Sequence, residues 1–356
     1  MRLVDRHLGM TVVASFGQAL AGLLAVFAVI NLTEELRNAG SPGWGVGRAI
    51  WFVVMTLPSE AYTLFPAAAL LGAVLGFGRL ATDQELIALQ AAGVAPTRLA
   101  GSALMAAGVL ALAGLALGEL VAAPLSQRAH AQRALALSGG RALTTTSGLW
   151  LRDGRRFVNV GSLRPDGSLE QIYEFDFDAD RRLERFTHAA SAAQVDGTWE
   201  LQQVRESVLH DEVSTNRDLA TTRWHTVFDP RSIQTLWLEP RDLSLVELSR
   251  TMAALRAQGQ NPLGHEVAFW RRVSAPVYMG VMVLLAMPMV MVSGRTVRVG
   301  ERAILGALVG LGFQMSQEMF TNFGLVVGLP PLAIALVPAL IALAAAGMLF
   351  RNQGLA

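Results

Sequence analysis

Four polar residues interrupt an otherwise apolar stretch at regular spacing. Gln314, Gln317, Glu318 and Thr321 stand at i, i+3, i+4 and i+7, which places them on one face of a helix. Polar groups in such a setting face protein or a water-filled cavity rather than hydrocarbon. Two chemistries fit: hydrogen bonds between helices, each worth roughly 1 kcal/mol, or the polar wall of a substrate cavity. A second stretch, Thr82-Asp83-Gln84-Glu85, has capping-box spacing, in which Thr82 accepts from the Glu85 amide and Glu85 returns to the Thr82 amide. It predicts a helix over Thr82 to Gly93 that includes Leu86, Ile87 and Leu89, with Gly93 as a left-handed stop and Pro96 blocking continuation. A helix of about ten residues is unstable alone, so this one leans either on lipid headgroups or on a protein partner. Glu60, between Pro58 and Pro66, reads as an interfacial carboxylate or as a proton-relay acid.

Residue types exclude as much as they suggest. All 29 basic residues are Arg, and without Lys there is no Schiff base, kinase lysine or Walker A lysine. If ATP powers this protein, another chain binds it. The absence of Cys removes disulfides, thiolate catalysis and Cys-ligated zinc. His7, His130, His188, His210, His225 and His265 are dispersed with no i, i+4 pair beside a Glu, so no spacing supports a metal site. No Gly-x-Ser-x-Gly elbow occurs either. A net charge of +1 offers no basic surface for nucleic acid. The sequence contains no catalytic constellation.

The elements that must position these residues belong to a membrane protein. Hydrophobic residues make up 52% of the 356 and charged ones only 16%, against about a quarter charged in soluble chains. Apolar runs near the roughly 20 residues needed to cross hydrocarbon fall at about 11–32, 55–78, 101–122, 273–292, 303–323 and 331–350. Residues 123–266 hold 36 of the 57 charges. The predicted class is therefore an α+β membrane protein in which six transmembrane helices, three and three, flank an inserted extracytoplasmic β domain. The boundaries are 1–122, 123–266 and 267–356.

The inserted segment alternates in Arg156-Phe157-Val158-Asn159-Val160 and Gln171 to Phe177, with turns at Asp153-Gly154, Asp166-Gly167 and Asp196-Gly197. Short antiparallel strands of this kind suggest a sandwich or jelly roll. Leu245, Leu248, Met252 and Leu255 predict a hinge helix over about 244–257, ended by Gly259 and Pro262. With the N-terminus inside, Arg2, Arg6, Arg79, Arg98, Arg295, Arg298, Arg302 and Arg351 lie on the inner side and Arg37 and Arg48 on the outer. Arg271 and Arg272 also fall outside and oppose the scheme, yet the balance still places both termini in the cytoplasm. Gly72 and Gly76, Gly114 and Gly118, and Gly306 and Gly310 have the small-xxx-small spacing of tightly packed helices.

Four stretches stand out within this layout: Phe65-Pro66-Ala67-Ala68-Ala69-Leu70-Leu71-Gly72-Ala73, Glu85-Leu86-Ile87-Ala88-Leu89-Gln90-Ala91-Ala92-Gly93, Gly148-Leu149-Trp150 and Gly328-Leu329-Pro330-Pro331. Together with the layout, they resemble the LptF/LptG family of lipopolysaccharide export permeases, most closely its LptG-type branch. The resemblance implies a Gram-negative inner-membrane subunit that pairs with an LptF-like permease and sits on an LptB-like ATPase dimer, which would hold ATP and Mg. An LptC-like single-span protein would associate with it. Lipopolysaccharide would pass from the membrane to a periplasmic β-jellyroll bridge. The resemblance further implies that Glu85, Leu86 and Leu89 dock the ATPase. Arg37 and Asn31 would meet the lipid's phosphate region, and Gln314 and Glu318 would line its cavity; neighbouring Glu34 and Glu35 add negative charge that some relatives lack. The rival reading is a non-transporting membrane scaffold or receptor whose β domain binds an extracytoplasmic partner. An intramembrane enzyme would need a paired acid and base that the chain does not supply.

Overall fold

The computed structural model describes residues 2–40, 43–137, 143–164, 167–195, 198–210, 213–224, 239–257, 259–292 and 299–352. Arg295, Arg298, His225, Asp166 and the Asp196-Gly197 turn lie outside the described residues. The chain divides into two compact units. The first comprises Met1–Thr33, Val53–Ser126 and Glu266–Ala356, and the second Glu34–Phe52 and Gln127–His265.

The first unit is helical. The helices that build it are α1 (Arg2–Arg37), α2 (Val46–Thr82), α3 (Glu85–Ala91), α4 (Pro96–Leu117), α7 (Leu263–Val292), α8 (Val299–Val327) and α9 (Pro331–Asn352); a π turn (Gly118–Ala122) follows α4 and leads into α5 (Ala123–Leu137), which runs into the second unit. Five of these runs, Val4–Arg37, Val46–Thr82, Arg98–Leu137, Leu263–Val290 and Pro331–Arg351, are long and apolar enough to cross a membrane. Helix α8 has the length, at 29 residues, but the Gln314 to Thr321 stripe dilutes its hydropathy below that of the other five.

Helix α2 is the hub of the unit. Gly72 lies so close to α1 that a Cβ there would sit 2.5 Å from the Phe16 Cα. Gly114 and Gly118 face the rings of Phe65 and Tyr62, and Gly306 and Gly310 face Leu71 and Ala67. All three glycine pairs thus serve crossings between α2 and other helices of the same chain. Leu64, Leu70, Ala73 and Phe77 are fully buried along its length, and close backbone approach supplies the dispersion contacts that hold helices together where no hydrophobic gradient exists.

The second unit carries one antiparallel sheet of β1 (Leu143–Asp153), β2 (Arg156–Leu163), β3 (Leu169–Phe177), β4 (Leu183–Val195), β5 (Thr198–His210) and β6 (Val213–Trp224). Among the described residues the strands follow sequence order, so the sheet is a simple meander. A bulge in β1 falls between Thr144 and Leu149. Gly148 there takes φ +71°, and a Cβ would come within 2.9 Å of the Val160 carbonyl oxygen, so this position of the Gly-Leu-Trp motif excludes side chains. One face of the sheet buries Leu151, Val158, Val160, Ile172, Ala189 and Val204. The other carries the rings of Trp150, Tyr173, Phe175 and Phe186, neighbours at centroid separations of 5.2 to 6.3 Å. Helix α6 (Leu245–Ala257) comes next, burying Leu248, Met252 and Leu255. Ser244 caps it, because its amide and hydroxyl both donate to the Glu247 carboxylate and the Glu247 amide returns to Ser244 Oγ.

Candidate functional site

At one end of the helical unit, the short helix does not begin where the capping-box spacing puts it. Thr82 ends α2 instead, donating its hydroxyl to the Gly78 carbonyl at 2.9 Å. Gln84 turns the chain with φ +61° and α3 starts at Glu85. The competitor that won is back-bonding of a threonine to its own helix, which satisfies the hydroxyl without a new cap. Helix α3 is therefore seven residues long. Gly93 does take φ +84°, and the Val94 amide donates to the Leu89 carbonyl to close the stop.

Leu89 packs against the bundle core, whereas Glu85 lies at the surface and contacts His7 of α1, Oε2 to Nε2, at 3.0 Å. Leu86 occupies the first turn. Beside this contact Arg98 and Ser102 of α4 both donate to Asp5 of α1, at 3.0 and 2.9 Å. The N-terminal turns of α1 thus grip α4 directly and reach α3 through Glu85. Arg302 of α8 is buried at the same end and donates to the Gly78 carbonyl at 3.0 Å.

At the opposite end, the polar stripe of α8 divides. Gln317 and Thr321 are buried in the bundle, with Thr321 donating to the Gln317 carbonyl. Gln314 is half-buried and Glu318 exposed, so only these two remain available to a cavity. Glu318 accepts from Arg271 of α7 at 2.8 Å. The adjacent Arg272 is buried, donates to Glu119 in the π turn at 2.8 Å, and lies over the Tyr62 ring, 5.5 Å from its centroid. The two arginines that opposed the charge bias are therefore both matched by acids. An apolar groove of about 380 Å³ lined by Leu285, Phe313, Phe320, Pro338 and Ile341 separates α7, α8 and α9. Glu60 lies half-buried within α2.

Asn31 is half-buried near the end of α1. Arg37 ends that helix and is exposed. No ion pair joins it to Glu34 or to any other described residue. Within the second unit Glu35 is occupied. It accepts from Arg133 Nε at 2.9 Å, and that guanidinium lies over the Phe52 ring. His130 stands edge-on to Phe52 and 3.9 Å from Asp242. The sequence offers no local signal for Glu35 with Arg133 or Glu119 with Arg272, since the partners stand 98 and 153 residues apart.

In the sheet, Arg156 bridges Glu174 and Asp176 at 2.7 and 2.6 Å. Burial raises the Glu174 carboxyl above its ordinary value, against the pull of Arg156 and with the repulsion of Asp176 behind it. Among the described residues no three His, Asp or Glu side chains gather as a metal site would require.

Over residues 6–352 the chain matches the family described as "Lipopolysaccharide export system permease LptF/LptG". It is 33% identical over 341 residues to the lipopolysaccharide export system permease protein LptG of Haemophilus influenzae, covering 95% of each chain. It is 32% identical over 339 residues to the protein of the same name from Escherichia coli K12, covering 94% of each. A match across nearly the whole length, on a frame of membrane-length helices with an inserted antiparallel sheet, places this chain in the LptF/LptG family of lipopolysaccharide export permeases.

Proposed function

We propose that this chain is the LptG-type transmembrane subunit of an ATP-driven lipopolysaccharide exporter in the inner membrane of a Gram-negative bacterium. Helix α8, with Gln317 and Thr321 of its polar stripe turned into the bundle, is read as the sixth span beside the five more apolar helices. Both termini lie in the cytoplasm and the sheet in the periplasm, where its six strands would form part of a jelly-roll-like domain. The subunit works beside an LptF-like permease and an LptC-like single-span protein, and an LptB-like ATPase dimer binds ATP and Mg. This chain itself holds no cofactor and catalyses no reaction.

One observation carries the reading. A seven-residue helix between α2 and α4 is packed onto the bundle through Leu89 while Glu85 faces outward. That geometry suits a lever: a partner gripping Glu85, Leu86 and Leu89 moves α2 and α4 with it. Arg37 can fork onto a lipid phosphate; Asn31, Gln314 and Glu318 are read, each by itself, as further lipid contacts.

The test is co-purification in mild detergent. The tagged chain, expressed at native level, is expected to bring down a stoichiometric ATPase, and Glu85→Lys to lose it. Glu85 and His7 are 47% and 60% exposed, so losing their contact costs no more than about 1 kcal/mol of fold stability. Reversing a charge inside an interface costs about 2–5 kcal/mol, which separates lost docking from lost fold. Normal ATPase recovery with Glu85→Lys would remove the docking role. No ATPase with the unaltered chain would favour the scaffold reading.

A further inference from the structure

The chain leaves the helical unit twice, over Glu34–Phe52 and, for longer, after Ser126 until it returns at Glu266. Within that unit, the outgoing and returning segments meet in one charged joint. Glu119 lies in the π turn just before the exit, and Arg272 lies in α7 just after the return. Their side chains meet at 2.8 Å, with the Arg272 side chain only 9% exposed. The guanidinium lies over the Tyr62 ring of α2, and a Cβ on Gly118 would come 3.0 Å from that same ring. Tyr62 is thus wedged between the π turn and Arg272, and three segments converge on it.

Two physical points separate this joint from ordinary packing. Burying an Arg and Glu pair adds little net stability over a well-packed apolar pair, while breaking it leaves a charge stranded; such a pair fixes an arrangement more than it strengthens one. A π turn adds a residue to the helical repeat and so rotates the downstream helix by about 100° relative to an unbroken α-helix. Glu119 sits inside that turn, so its contact with Arg272 fixes the end of α4 against α7. Arg271, next along α7, extends the joint to Glu318 of α8.

We propose that Arg272, Glu119 and Tyr62 form a rigid joint that makes the C-terminal end of α4 and α7 move as one body during export, so that the chain crossings at Ser126 and Glu266 are driven together. They are positioning residues, and the proposal rests on the export reading above.

The chain has no Cys, which permits a direct test in the complete transporter. It is reconstituted in vesicles containing lipopolysaccharide, with its partner subunits free of Cys and a soluble lipid acceptor outside. Glu119→Gln is expected to assemble and hydrolyse ATP near the unmodified rate while releasing about tenfold less lipid per ATP, within the usual span of coupling between distant sites. The double variant Glu119→Cys with Arg272→Cys is expected to be equally uncoupled until a short bismaleimide spacer bridges the two positions and restores lipid release.

Unchanged lipid per ATP in Glu119→Gln would overturn the joint, as would a bridged double variant that releases no more lipid than the unbridged one. If Glu119→Gln does not assemble, the bridged variant decides alone. Failure of the unmodified transporter to release lipid while hydrolysing ATP would refute the export reading instead.

Discussion

Gly72→Ala should loosen the bundle at its tightest crossing. A Cβ on Gly72 would stand 2.5 Å from the Phe16 Cα and 2.6 Å from its backbone nitrogen, where ordinary contact begins at 3.4 Å. Backbone cannot rotate away as a side chain can, so α1 must retreat by about 0.9 Å, and a gap of that size forfeits roughly a quarter to a half of each dispersion contact across it. One turn on, Gly76 touches Ser15, Thr11 and Val12, and the edge-to-face pair of Phe16 and Phe65 at 5.1 Å straddles the same crossing. Overpacking of this kind costs about 1–3 kcal/mol, partly offset by up to about 1 kcal/mol of better helix propensity. The net expectation is a loss of about 1–2 kcal/mol. Gly22 of α1 is the control. A Cβ there meets nothing within 4 Å, so Gly22→Ala should be neutral or slightly stabilising. Thermal unfolding in mild detergent, followed by tryptophan fluorescence, compares the two; a Gly72→Ala midpoint at or above that of the unaltered chain would refute the steric account.

Two further expectations concern charge. Because burial raises the Glu174 carboxyl in the folded sheet, the folded state holds that proton more tightly than the unfolded chain; the associated stability is full below the ordinary carboxylate value and is lost as pH rises through the raised one. Glu174→Gln should therefore flatten the fall in melting temperature between mildly acidic and neutral pH, and a parallel profile in the variant would contradict this. At the end of α1, Arg37→Glu should lower lipopolysaccharide-stimulated ATP hydrolysis more than Asn31→Ala does, measured on the assembled transporter; equal activities would reject Arg37 as a phosphate contact.

Hydropathy makes the membrane-length helices legible because lipid imposes a nearly local rule, about 20 apolar residues per crossing. Likewise the alternation at Arg156 to Val160 marks β2 correctly, since one face of the sheet is buried. Pairings between distant residues are not legible. Arg271 and Arg272 read as misplaced positive charges in the sequence, and only the fold sets Glu318 and Glu119 beside them. The start of α3 differs from the expected one because Thr82 has two ways to satisfy its hydroxyl, and sequence spacing shows only one of them. The polar stripe does lie on one face of α8, yet spacing cannot tell that Gln317 and Thr321 point into the chain's own bundle while Glu318 remains outside.

The contact between His7 and Glu85 changes what it means for a partner to dock. At Oε2, which its own chain already engages, the carboxylate is reached by exchange. An incoming cationic group that displaces His7 gives up a contact worth at most about 1 kcal/mol, so the toll on affinity is no more than about fivefold. The exchange frees His7 from α3, while Asp5 stays held by Arg98 and Ser102 and Leu8 stays in the core. In the proposed transporter, occupancy at α3 would thus be felt in α1, and the subunit alone would keep that contact closed.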